Sequence, residues 1–228
     1  MNPRISVIVP VLREASVIGP FLRRLRRLPA EGPVECLVVD GAPGADTLAV
    51  LGESDAIRLR APRGRGVQMN AGAARASGET LLFLHADTAL PANAFSAIAE
   101  ALADPRVAGG AFDLSIDSPR PVFRVMERTA SLRSRLTRIP YGDQAIFLRR
   151  SVFAVLGGYR PIPIMEDVDL MARLRRAGFR IRILPDRVRT SPRRWLREGI
   201  VRGTLRNWTI ATLFGLGVPP ERLVRYYR

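Results

Sequence analysis

The sequence runs to 228 residues, 47% of them hydrophobic, which is enough for one well-buried core and short for two. Its single cysteine, Cys36, excludes an intramolecular disulfide and, set in an apolar run, reads as a small core residue in a reducing, cytoplasmic compartment. The net charge is +15 and every one of the 36 basic residues is an arginine, a compositional bias that does not by itself point to nucleic acid.

The opening stretch, residues 1–12, holds only a strand-length apolar run and no small-residue cleavage site, so no signal peptide is expected there. Residues 5–9 form a β-branched strand ending at Pro10. From Glu14 the positions Val17, Ile18, Phe21, Leu22, Leu25 and Leu28 recur at helical spacing. A second strand, residues 35–40, again stops on a polar residue, Asp40, before a loop and a short helix over 46–52. A weak third strand over 56–60 leads into Arg63-Gly64-Arg65-Gly66, then an alanine-rich helix over 67–77 closed by Gly78. The fourth strand, residues 81–84, delivers His85 and Asp87, which in an extended chain project to one side. A helix over 91–103 with Pro91 at its first position follows.

Four alternations of strand and helix predict a parallel, doubly wound α/β sheet. Pro10, Asp40, Arg63 and Asp87 each follow a strand, so they fall along the carboxyl edge, where α/β proteins bind ligands. The second half is less regular, with strands expected over 107–116, 144–148 and 180–184 and helices over 121–137 and 165–177. From Arg193 the chain reads as amphipathic helix broken over 215–220. Residues 180–228 carry 12 arginines against Asp186, Glu198 and Glu221, so the basic character concentrates there. No run reaches the roughly 20 apolar residues of a membrane span.

Several residues suit chemistry on a charged ligand. Asp40 and Asp87 fit two tasks, one accepting hydrogen bonds from a base or ribose, the other holding a divalent cation on a diphosphate. Arg63 and Arg65, among glycines, suit phosphate, and Gln68 and Asn70 add polar capacity nearby. Glu166, Asp167 and Asp169 have a purely structural explanation as carboxylates at a helix start. The stiff apolar Pro161-Ile-Pro-Ile-Met165 before them also suits a desolvated base.

In order, VIVPVLREA, VVDGAPGADT, RGRGVQMNAGA, FLHADT, GDQAIF and MEDVDLMARLRRAG resemble the family 2 glycosyltransferases with the GT-A fold, over residues 5–184, and SPRRWLREG is similar to a subgroup of small bacterial members. The resemblance implies a Rossmann-like, mostly parallel central sheet flanked by helices over 1–190, with a basic helical extension over 191–228. It implies inverting transfer of a sugar from a nucleotide-diphosphate donor, a UDP-sugar being expected, to a hydroxyl or lipid-linked acceptor. Pro10, Glu14 and Asp40 are then donor-binding. Asp87 is the metal aspartate of the DXD motif, for Mn²⁺ or Mg²⁺, and Asp167, beside Glu166, is the general base. Gly142, Asp143 and Gln144 form the acceptor side, and Arg193, Arg194 and Trp195 meet diphosphate or acceptor. His85 stands where the motif has its first acid, which predicts Mn²⁺ over Mg²⁺.

Two other functions compete. A sugar-nucleotide nucleotidyltransferase would carry its glycine loop directly after the first strand, where this chain has Pro10-Val-Leu-Arg-Glu14. A non-catalytic nucleotide-sugar or anionic-lipid binding protein would keep the fold without turnover. The C-terminal helices have two readings, packing on the sheet domain through Trp195, Leu196, Trp208, Leu213 and Phe214, or lying on the inner face of a membrane.

Overall fold

The computed structural model describes residues 4–227. Residues 1–3, part of the stretch read as carrying no signal peptide, and Arg228 lie outside the described residues.

An eight-stranded sheet in the order β3-β2-β1-β4-β7-β6-β8-β5 carries the fold. Its first part is built from β1 (Ile5–Val11), α1 (Ala15–Arg26), β2 (Val34–Asp40), α2 (Asp46–Ala49), β3 (Ile57–Arg60), α3 (Arg65–Arg75) and β4 (Thr80–Phe83), with β1, β2, β3 and β4 all parallel. β1, β4 and the end of β2 are covered on both faces, which is why they read as continuous apolar runs, whereas the edge strand β3 alternates half-buried Ile57 and Leu59 with exposed Arg58 and Arg60. Ile5, Val7, Val9 and Val11 pack into one core beside Phe21 and Phe95. Ile8, Leu37, Val39, Leu81 and Phe83 pack into the core on the other face, with Met69 and Leu170.

The second part adds β5 (Thr88–Ala89), α4 (Ala94–Ala103), β6 (Val107–Ile116), α5 (Pro121–Thr137), β7 (Phe147–Arg149), α6 (Arg150–Val155), α7 (Glu166–Arg176) and β8 (Arg180–Thr190). Here β7 runs antiparallel between β4 and β6, and β8 pairs parallel with β6 and antiparallel with β5. The chain ends in α8 (Arg193–Glu198), α9 (Ile200–Gly215) and α10 (Pro220–Leu223). Among the described residues no helix is long and apolar enough to cross a membrane.

Several boundaries depart from the sequence reading. The helix expected to start at Pro91 begins at Ala94. Gly78 does not cap α3, which has already turned extended at Ala76. Its backbone N–H instead donates to Ser6 Oγ at 2.8 Å, and a Cβ there would lie 2.6 Å from Arg4 O. Gln144 lies in a single 3₁₀ turn, Gly142–Gln144, so the strand expected over 144–148 starts only at Phe147. The C-terminal helix breaks first at Gly199, with φ 86°, and not only after Gly215.

Gly110 is the tightest point of the sheet. A Cβ built on it would lie 1.9 Å from Arg182 O on β8 and 2.8 Å from Phe147 Cζ. No rotamer relieves a backbone clash, so Gly110→Ala is expected to cost about 3 kcal/mol. For a chain of this size that is a drop in Tm of about 6–12 °C, measurable by calorimetry. A shift near zero would show that β6 and β8 can part freely.

Candidate active site

A cavity of about 360 Å³ opens at the carboxyl edge of β1 and β4. Its wall takes Pro10 and Glu14 from the end of β1, Arg65 from α3, and His85 and Asp87 from beyond β4. Tyr141, Gly142 and Asp143 come from the turn after α5, Met165 and Asp167 from the start of α7, and Arg194, Trp195, Asn207 and Ile210 from α8 and α9.

Each side chain is held by a traceable local cause. Asp40, buried at the end of β2, accepts the Ala42 N–H (2.8 Å) and the Thr47 N–H (3.1 Å), and Thr47 Oγ1 accepts the Glu14 N–H (3.0 Å). Asp40 therefore fixes the loop that sets Glu14. Gln68 donates to Val11 O and Val39 O, both at 2.8 Å, clamping the ends of β1 and β2. Asn70 donates to Tyr159 O and accepts the Tyr159 N–H. Asp40, Gln68, Asn70 and the exposed Arg63 stand outside the cavity lining, whereas Pro10, Glu14, Arg65 and Asp87 form it.

His85, Ala86 and Asp87 form a turn, not the extended segment expected from spacing. The Thr88 N–H donates to His85 O (3.0 Å), and Thr88 pairs at once with Thr190 of β8. Both His85 and Asp87 still face the cavity. Across it, Met165 adopts a left-handed backbone, φ 64°, immediately before α7. Such a conformation costs about 1–3 kcal/mol in a non-glycine residue and clusters at functional sites. The first turn of α7 that follows carries Asp167 into the cavity. Asp167 Oδ2 accepts the Gly142 N–H (2.5 Å) and Oδ1 the Val168 N–H (2.8 Å). A Cβ on Gly142 would lie 3.1 Å from His85 Nε2 and 3.2 Å from Asp167 Oδ2, so glycine here lets the turn nestle between the two.

Glu166 points behind the wall. It is 2% exposed and pairs with the Arg65 guanidinium at 2.7 Å. Gln144 is likewise buried, accepting from Ser134 Oγ (2.7 Å) and donating to Phe112 O (2.9 Å). Arg133, within reach of Gln144, stacks 3.3 Å over the Tyr141 ring. Arg193 lies 4.0 Å from Glu14 beside the cavity, and Arg194 is 3.4 Å from Glu198. Tyr141, Asn207 and Ile210 escaped sequence reasoning. Tyr141 directly precedes the Gly142-Asp143-Gln144 turn, a usable signal, but Asn207 and Ile210 sit in an ordinary amphipathic helix and carry none.

The cavity concentrates negative charge. Burial, reinforced by Asp167 and Asp87 against Arg133 and Arg65, pushes the Asp143 carboxyl up to about 6. Burial also raises Glu14, with Arg193 opposing and Asp87 adding, and raises Glu166 against its Arg65 partner. Burial and the Arg65 guanidinium hold the His85 imidazole down at about 4, against the pull of Asp87 and Asp167. Neighbouring carboxylates that raise Glu14 and Asp143 across a shared space suit a bound cation. No three of the described His, Cys, Asp and Glu side chains converge to hold a metal by themselves, so oxygens of a ligand would have to complete its shell.

Known proteins share this sheet with its cavity at the carboxyl edge. Residues 6–161 match the model of Glycosyl transferase family 2, and the chain belongs to that family. A mannosyltransferase, PcManGT, from Pyrobaculum calidifontis, solved in complex with GDP-Man and Mn²⁺, is 25% identical over 83% of this chain and 57% of its own, with a TM-score of 0.64. S. aureus TarS 1–349 in complex with UDP is 18% identical over 82% of this chain and 60% of its own, with a TM-score of 0.65. The architecture is thus that of GT-A glycosyltransferases, mixed α/β with a curled central sheet between helices. The chain spans less than two thirds of either solved structure. No curated protein sequence matches it.

Proposed function

We propose that this protein transfers a sugar from a nucleotide-diphosphate donor to a hydroxyl acceptor, in one displacement that inverts the transferred carbon. The supporting observation is that Asp87, past the end of β4, and Asp167, at the start of α7, face one cavity although far apart in sequence. The acceptor oxygen attacks the anomeric carbon, the bond from that carbon to the diphosphate oxygen breaks, and the electron pair leaves with the diphosphate. Asp167 takes the acceptor proton. Arg65, and Arg194 across the mouth, carry positive charge toward the departing diphosphate. Glu166 acts as a positioning residue, holding Arg65. Asp40 and Gln68 keep the donor end of the sheet in shape behind Pro10 and Glu14, and Tyr141, Gly142 and Asp143 form the acceptor side with Trp195.

The donor set fits a divalent cation held by Asp87 with His85, the remaining ligands coming from the donor. Bound there, the cation neutralises charge on the diphosphate. PcManGT, solved with Mn²⁺, supports this. Because imidazole suits Mn²⁺ better than Mg²⁺, Mn²⁺ is expected to support activity at several-fold lower concentration. Matching titration curves for the two metals would remove His85 from the ligand set.

The test is a panel of UDP- and GDP-sugars with Mn²⁺, since the similar structures hold one base each. A transferase releases nucleoside diphosphate slowly to water even without acceptor. Thermal stabilisation by a donor with no release across the panel would instead mark a binding protein. The half-buried Cys36 thiol, pushed up to about 12 chiefly by burial, is inert and fits our placement of the chain in the cytoplasm.

A further inference from the structure

The C-terminal helices divide between the two readings open in the sequence. Trp195 packs its ring edge-on against Phe123 at 6.2 Å, and Leu213 and Phe214 cover a small core around Ile210 and Leu223. Leu196 and Trp208, however, point to solvent.

On α9 and the residue that ends it, the exposed apolar side chains are Val201, Leu205, Trp208 and Leu216, each leaving 57–76% of its surface uncovered. Their spacing places them on one stripe, opposite the buried Gly203 and Ile210. On α5, Val125, Leu132 and Leu136 repeat the pattern, 57–74% exposed. The two helices touch where Thr204 Oγ1 meets Met126 Sδ at 3.9 Å, so the stripes border one contact. Isolated exposed apolar residues need no explanation, but two such stripes on helices in contact mark an interaction surface.

Charge selects the occupant. Exposed Arg128 and Arg202 lie on the same two helices, and the exposed Arg197 on α8 just before α9. The only acid of α5, Glu127, is buried and paired with Arg124 at 2.8 Å. No acid occurs in α9, and Glu198 of α8 is neutralised by Arg206 at 2.6 Å, Arg194 at 3.4 Å and Arg197 at 3.8 Å. A second copy would bring the same arginines against each other on a chain of net charge +15.

We propose that the joined faces of α5 and α9 dock this protein on an anionic lipid bilayer, the leucines, valines and Trp208 entering the interface and the arginines meeting lipid phosphates. The opposite side of α9 supplies Asn207 and Ile210 to the cavity. Resting on the transferase reading, this places the acceptor hydroxyl on a molecule anchored in that bilayer.

Cosedimentation with vesicles of phosphatidylglycerol and phosphatidylcholine, without donor or metal, tests docking independently of any transfer. Binding is expected with the anionic vesicles, lost with pure phosphatidylcholine, and weakened several-fold at about 0.5 M salt. Replacing Leu205 and Trp208 together by Glu should weaken it about tenfold or more while melting stays unchanged. Should that variant unfold, Trp195→Phe leaves Trp208 as the one tryptophan, whose fluorescence is expected to shift blue and be quenched by brominated lipid. Absence of quenching, equal binding to neutral vesicles, or a dimer in light scattering that the double substitution dissolves would each overturn the proposal.

Discussion

Asp167→Asn is expected to abolish transfer while donor and metal still bind. Asn is nearly isosteric, and its amide oxygen can accept the Gly142 N–H (2.5 Å) and keep the turn in place, but it cannot take a proton at neutral pH. A positioned base contributes about 10²–10⁴ in rate, so kcat should fall by at least that range with KM for donor little changed. The measurement is transfer kinetics beside a thermal shift with nucleotide sugar and Mn²⁺. A variant that retains wild-type turnover would remove Asp167 as the base. One that loses the thermal shift as well would show that the residue serves donor and metal binding and not proton transfer alone.

How much of this was legible in the sequence follows from burial. Parallel strands covered on both faces are apolar throughout, so β1, β2 and β4 stood out as runs. β8 was read as half its length because Pro185 and the alternating Arg187 and Arg189 look unlike a strand. In the sheet, the partner of β6 jumps from Leu184, opposite Phe112, to Arg187, opposite Asp113. Pro185 and Asp186 are accommodated by that irregularity, and the strand resumes. Its far end, Thr190, pins the turn that carries Asp87, so the missed residues are the ones that shape the site.

The site itself was half legible. Acids at strand ends and helix starts have positional signatures, and Asp87 and Asp167, singled out that way, both line the cavity. Arg65 was recognised as phosphate-competent, but its buried partner Glu166 is set by the packing of α3 against α7, which no local pattern records. Asp40, singled out for its place at a strand end, accepts one backbone N–H on each oxygen from the loop that carries Glu14, a tie that no strand-end position announces.

Asp87→Asn should fail differently from Asp167→Asn. The Asp87 carboxylate shares its cavity with Glu14, Asp143 and Asp167, and its charge adds to the burial that raises Glu14 and Asp143. Removing its charge relieves that repulsion, so the fold should be as stable as before or more so, and the Asp143 carboxyl should move back toward its ordinary value. With one charge fewer the cavity holds a divalent cation more weakly, so metal-dependent stabilisation by nucleotide sugar is expected to vanish. Transfer should fall by roughly 10²–10³, the effect of losing one preorganised electrostatic contact in an active site. Melting curves with donor, with Mn²⁺, and with both separate the possibilities. If the Asp87→Asn protein is stabilised by donor and Mn²⁺ as strongly as the wild type, Asp87 does not hold the cation. If both variants lose stabilisation together, the two carboxylates share one binding task, and the division of labour between metal and base is wrong.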